Sequence, residues 1–145
     1  MDDIPSLLDE ELTITLCEIL GALPTFAYRP EEDAPPYTEA EVGVFYGAIG
    51  EAPHQAIGVR VYDGTDDALH TRRVQFHTRG KPRQPNGADR LASVLFAVLQ
   101  YRIRGRGMVS ITRISFAPLG ADSNGREERT DNYIITLDNL EASAS

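Results

Sequence analysis

Histidine, cysteine and clustered arginine are the side chains of this sequence that can do chemistry, and their spacing decides which kinds. His54 follows Pro53 in a loop, His70 falls in another loop and His77 in a strand pattern. No two histidines stand three or four residues apart and Cys17 is the single cysteine, so the ligand spacing of a metal centre is missing. The run Asp122-Ser-Asn-Gly-Arg with Glu127 after it has some features of a calcium loop. An EF-hand, however, needs three ligands before its glycine and a glutamate six residues beyond it. Here only Asp122 and Asn124 precede Gly125, and Asn-Gly between two strand patterns is a hairpin turn signal. No GxSxG, P-loop, GxGxxG or HExxH pattern occurs, and Ser93 and Ser110 have no evident His–Asp partners. We expect no metal, no cofactor and no enzymatic activity.

Arginine is the more informative residue. The net charge of −8 is unevenly spread along the 145 residues. Residues 1–59 hold twelve acids and one base, residues 60–113 eleven bases and four acids, and residues 114–145 six acids and two bases. Arginine outnumbers lysine thirteen to one, and its planar fork suits fixed bidentate contacts. Arg79, Lys81, Arg83, Arg102, Arg104 and Arg106 all flank the ends of one predicted helix or its preceding loop. Arg102-Ile-Arg-Gly-Arg-Gly resembles an RGG-type nucleic-acid segment, but it is a single copy without interleaved aromatics. A helix end rich in arginine and stopped by Gly105 or Gly107 accounts for the same letters. The acids Glu31, Glu32 and Asp33 sit in a Pro-rich stretch, PEEDAPPYTEAE, with too little apolar surface to order itself. We expect it to be mobile or held by a partner. Acidic and basic surfaces of this kind can pair between subunits, and the overall acidity argues against a dedicated nucleic-acid binder.

The elements that position these charges can be read from hydrophobic periodicity. The length suits one domain, and no apolar run approaches the ~20 residues that cross a bilayer. The acidic start, MDDIPSLLDEE, does not look like an export signal. Cys17 reads as a buried thiol in a helix, consistent with a reducing compartment. Ile4, Leu7, Leu8, Leu12, Leu16, Ile19, Leu20 and Leu23 predict a helix from about Pro5 to Leu20, capped by Asp2 or Asp3, with Gly21 at its C′ position. Thr25–Tyr28 predicts a short edge strand, and Val42–Ile49 a short strand or irregular stretch. Ala56–Asp63 and Val74–Thr78 predict antiparallel partners joined by a projecting loop of about ten residues. Asn86 caps a helix over 88–101, with apolar residues at 91, 94, 95, 98 and 99. Val109–Phe116 alternates without a purely apolar face, Pro118–Arg129 reads as a polar turn, and Asn132–Leu137 is the last strand. The sum is an α+β domain over residues 1–138. It has a mixed, mostly antiparallel sheet of four or more strands packed against two helices, with a disordered tail at 139–145.

Several strings in this order carry a family resemblance. Val44-Phe-Tyr-Gly-Ala-Ile-Gly-Glu-Ala-Pro, Ile57-Gly-Val-Arg-Val-Tyr and Val74-Gln-Phe-His-Thr-Arg-Gly come first. The helix at 88–101, Ile114-Ser-Phe-Ala-Pro-Leu-Gly-Ala-Asp and Arg126-Glu-Glu-Arg-Thr-Asp-Asn-Tyr-Ile-Ile follow. Together, over roughly residues 4–138, they resemble the minor capsid and tail terminator proteins of tailed bacteriophages. The resemblance implies a two-layer α/β domain that forms a hexameric ring at the head-proximal end of a long tail. Such a ring caps the tail tube, stops polymerisation and mediates joining to the head. Its partners would be further copies of itself, the tail tube protein and a head-completion or stopper protein, with genomic DNA passing through the lumen without specific binding and no membrane. The implied location is the virion, in the tail or neck, after assembly in the host cytoplasm. On this reading Arg79, Lys81, Arg83, Arg102, Arg104, Arg106, Glu31, Glu32 and Asp33 are candidate inter-subunit or lumen contacts. Two alternatives stay open: a head-completion or stopper protein of the same neck, and a phage enzyme or regulator outside the virion.

Overall fold

Leu12, Leu16 and Leu20 fall on one side of a helix, and Thr13 and Cys17 beside them widen the stripe; all five are buried. They belong to α1 (Leu8–Gly21), whose first turn carries Asp9, Glu10 and Glu11 against the positive end of the helix dipole. Thr13, β-branched and intrinsically a weak helix former, returns its hydroxyl to the Asp9 carbonyl at 2.7 Å. The computed structural model describes residues 8–101 and 107–137. The expected beginning of α1 at Pro5, the arginines at 102, 104 and 106, and the expected tail at 139–145 lie outside the described residues. Gly21 is the last helical residue, not a left-handed cap. A Cβ there would stand 2.6 Å from that of Tyr28, so close approach of the next strand is what requires glycine. The left-handed turn falls instead at Thr25, with φ of 68°.

The second helix, α2 (Gly87–Tyr101), follows the expected cap: Asn86 accepts at its carbonyl from the Arg90 N–H at 3.0 Å, and Asp89 lies in the first turn. Both helices pack on one face of a six-stranded sheet. Its strands are β1 (Phe26–Tyr28), β2 (Val42–Tyr46), β3 (Ala56–Asp66), β4 (His70–Pro82), β5 (Met108–Ala121) and β6 (Arg126–Leu137), in the order β1-β2-β3-β4-β6-β5. β1–β2 and β2–β3 are parallel and the other three pairings antiparallel. The fold is thus α+β with a mixed, mostly antiparallel sheet, as the periodicity predicts. α1 covers β1 to β3, and α2 covers β4, β6 and β5. Between them and the sheet lie Val44, Ile57, Val59, Val74, Phe76, Tyr133 and Ile135, all essentially inaccessible. Phe76 and Tyr133 meet edge to face across β4 and β6, with centroids 5.3 Å apart.

Four strands run well past their predicted ends, for two physical reasons. Between Val61 and Val74 the residues are polar, but they pair with one another. The β3–β4 ladder continues to Asp66 opposite His70, Thr65 and Thr71 hydroxyls bond at 2.7 Å, and Asp63 faces Arg73 at 3.8 Å. What projects is therefore a two-stranded ribbon with a three-residue tip, where a ten-residue loop was expected. In β5 the alternation is lost because register shifts fall between Met108 and Ser110, Arg113 and Ser115, and Pro118 and Gly120. The extra residue at each bulge is Val109, Ile114 or Leu119, and all three are exposed. The expected polar turn at 118–129 shrinks to residues 122–125. There the Asp122 carboxylate accepts from the N–H groups of Asn124 and Arg126 at 2.9 Å each, and Gly125 takes φ of 73°. Asn-Gly marks a turn, as read.

Candidate functional site

The β2–β3 crossover passes over the helix-free face of the sheet without a helix of its own, and arginine holds it there. Arg79 donates Nε–H to the His54 carbonyl at 2.9 Å, and its Nη2 reaches the carbonyls of Gly50 (2.8 Å), Glu51 (3.3 Å) and Pro53 (2.7 Å). Arg126, on β6, donates to the same Glu51 carbonyl at 2.9 Å and to Asp122 at 2.8 Å. Both arginines are buried, at 4% and 2% exposure. Burial first, and then the neighbouring Arg126, push the Arg79 pKa down from its usual range. Arg79 is thus not a surface contact within this fold. Its Nε and Nη2 face four carbonyls of its own chain, with one N–H shared between two acceptors.

The remaining candidates are outward. Lys81 and Arg83 are exposed, separated from Arg79 by the register shift that ends the β4–β6 ladder. Arg90, in the second turn of α2, joins Lys81 around a groove of about 260 Å³. The lining of that groove is mixed: Phe26 and Val42 at the start of β1 and β2 and Leu91 and Val94 of α2 lie beside Thr25, Gln55 and Gln84. Arg90 was absent from the residues singled out by sequence. Its signal was the second stripe on α2, residues 87, 90, 91 and 94, in which Val94 is 42% exposed rather than in the core. Among the described residues, Lys81, Arg83 and Arg90 form no ion pair with a carboxylate.

Glu31, Glu32 and Asp33 are likewise exposed, at the opposite end of β1. Their segment is tied back onto the fold at its base, a contact the sequence reading did not include. Arg29, just after β1, grips the Glu41 carboxylate with both terminal nitrogens at 2.8 and 2.6 Å and lies over the Tyr37 ring at 5.0 Å. The Tyr37 hydroxyl accepts from the Arg29 N–H and donates to the Val44 carbonyl, both at 3.1 Å. The Arg29 bond, with the Thr38 N–H after it, lowers the Glu41 pKa to about 2. The clamp closes residues 30–40 into a loop whose tip turns back from Glu31 to Ala34 at 3.1 Å. Twelve residues separate the two ends of the clamp, and no local pattern announces it.

The remaining reactive groups are engaged within the fold. His70 bonds Asp66 at 2.9 Å and His77 bonds Glu128 at 2.6 Å. His54 donates its backbone N–H to Glu39 at 2.8 Å, and its ring Nδ1 lies 3.5 Å from Arg126. Cys17 is buried, and desolvation, with Glu18 beside it, pushes its thiol up to about 12, far from thiolate chemistry at neutral pH. Asp131, fully buried, takes Arg129 at 2.7 Å and Arg113 at 3.2 Å. Those two guanidinium groups sit 4.2 and 5.0 Å from the Phe116 ring centroid. Among the described residues no group of three or more His, Cys, Asp or Glu is placed to hold a metal ion, and no helix is long and apolar enough to cross a membrane.

The family described as bacteriophage tail terminator protein matches residues 20–139, most of the chain. The chain belongs to the tail terminator family. No curated protein matches it. The terminator family is one of structural proteins, and membership makes this chain a virion component associated with the tail. The match covers both the Arg29–Glu41 clamp and the groove at Lys81 and Arg90, so the two charged surfaces lie within the family domain.

Proposed function

We propose that this terminator-family chain assembles head to tail into a hexameric ring on the head-proximal end of the tail tube. The ring ends tube growth and offers its other face to a head-completion protein, and DNA passes through its lumen without specific binding. The observation that carries this reading is the family match over residues 20–139. The charge layout supports it. The carboxylates at 31–33 and the cations Lys81, Arg83 and Arg90, which pair with no carboxylate among the described residues, are exposed, and a heterologous contact that closes by rotation needs two unlike, complementary patches. An acidic lumen lining would keep phosphate from adhering. Of the residues picked out by sequence, Lys81, Arg83, Glu31, Glu32 and Asp33 keep their proposed role between subunits, and Arg79 does not.

Electron microscopy of lysates from phage with an early stop codon in this gene tests the reading. Overlong tail tubes beside filled, tailless heads are expected. Tails of normal length that fail to join heads would make the chain a stopper or head-completion protein. Normal infectious particles would remove it from the virion altogether and return it to the class of phage enzymes and regulators.

A further inference from the structure

The groove at the start of β1 and the loop at its end are a matched pair that one molecule leaves unmatched. The groove offers two cations, Lys81 and Arg90, on a mixed lining in which Phe26, Leu91 and Val94 lie beside Thr25, Gln55 and Gln84. The loop carries three consecutive carboxylates, Glu31, Glu32 and Asp33, between Pro30 and the pair Pro35-Pro36. The loop is pre-formed. Its base is clamped by Arg29, Tyr37 and Glu41, so little ordering entropy stands against its docking. Its flanking prolines supply apolar surface and a restricted backbone, the combination that recognition grooves with apolar side chains in their lining accept. The tip lies beside Glu18, Gly21, Ala22 and Tyr28 at the other end of β1, away from the groove of its own chain.

We propose that the segment Pro30–Pro36 of one copy seats in the Lys81–Arg90 groove of the next. The carboxylates of Glu31, Glu32 and Asp33 face the two cations, and the prolines lie on Phe26, Leu91 and Val94. Charge complementarity selects this occupant. The overall −8 of the chain disfavours contact between copies except where its exposed cations gather, and the groove is such a place. This contact rests on the self-assembly proposed above and names its residues.

The test is the mass of the full chain in solution by sedimentation, measured against concentration and salt, with circular dichroism to confirm folding. Wild type is expected to form a closed assembly that loosens as salt rises. The double variant Lys81→Glu with Arg90→Glu sets like charges face to face, and its subunit dissociation constant is expected to rise about a hundredfold. The triple variant Glu31→Arg, Glu32→Arg, Asp33→Arg is expected to do the same, and the chain carrying all five changes to reassemble. A wild type that stays monomeric at every concentration would overturn the contact. So would a double variant that assembles like wild type, or a five-fold variant that does not recover. Each outcome is separable from the lysate phenotype. Overlong tails in the stop-codon lysate with an unchanged double variant would keep the terminator and discard this interface.

Discussion

Arg79 and Lys81 are one residue apart on β4, and their surroundings could hardly differ more. Arg79 is enclosed and spends its donors on four carbonyls of residues 50–54. Lys81 is exposed, on the rim of a groove, with no carboxylate paired to it among the described residues. The register shift between Arg79 and Pro82 separates them: up to Arg79 the ladder fixes the side chain under the crossover, and beyond it the chain turns outward. A cluster of positive letters in a sequence therefore says nothing about how much charge reaches the surface. What counts is whether backbone carbonyls nearby need those donors.

The largest effect is expected at the enclosed member of the pair. Arg79→Met leaves the carbonyls of Gly50, Pro53 and His54 without this donor and should cost about 3 to 5 kcal/mol, at about 1 to 3 for each buried acceptor left unsatisfied. Lys81→Met should change stability by less than about 0.5 kcal/mol. Urea denaturation of the two variants side by side checks this, and equal losses would collapse the distinction. Next is Asp131→Asn, which unbalances Arg113 and Arg129 over Phe116 and should cost about 2 to 3 kcal/mol, read from the same experiment. Gly21→Ala should cost about 1 to 2 kcal/mol, since the added methyl would meet Tyr28 at 2.6 Å.

The smallest effect depends on pH. The Glu41 carboxyl is held at about 2, below the ordinary 4.5 of a glutamate, so its clamp stabilises the fold fully above about pH 4.5. That contribution fades as pH falls toward 2, where the folded form also takes up the proton. Glu41→Gln should therefore melt lower than wild type at pH 6, and the gap should narrow between pH 4.5 and 2. A gap constant across that range would mean that the clamp does not order the acidic loop.

These contrasts also show which parts of the molecule its sequence disclosed. The stripe at Leu12, Leu16 and Leu20, the Asn86 cap and the Asn124-Gly125 turn are local features, fixed by residues within one or two turns of each other. The order of elements along the chain and the fold class follow from such features, whereas the parallel pairing of β1, β2 and β3 does not. β5 was obscured because each bulge at Val109, Ile114 and Leu119 resets the alternation, so no single face reads as apolar. The β3–β4 ribbon was hidden because Thr65, Asp66, His70 and Thr71 are polar residues that pair across strands. The candidate surfaces were half visible: their charges could be counted, but not the clamp that joins Arg29 to Glu41, nor the carbonyls that absorb Arg79. Arg90 escaped notice because it sits inside a good helix pattern, on a stripe that only the neighbouring strands reveal as a groove.

The most direct test of the account is tube growth with the purified chain present. Tail tube subunits from the same phage are polymerised, this chain is titrated in, and tube length is measured by negative-stain electron microscopy with gold bound to an affinity tag. The account predicts that growth stops early and that gold marks a single end of each tube. Tubes of undiminished length, or gold scattered along their walls, would contradict it.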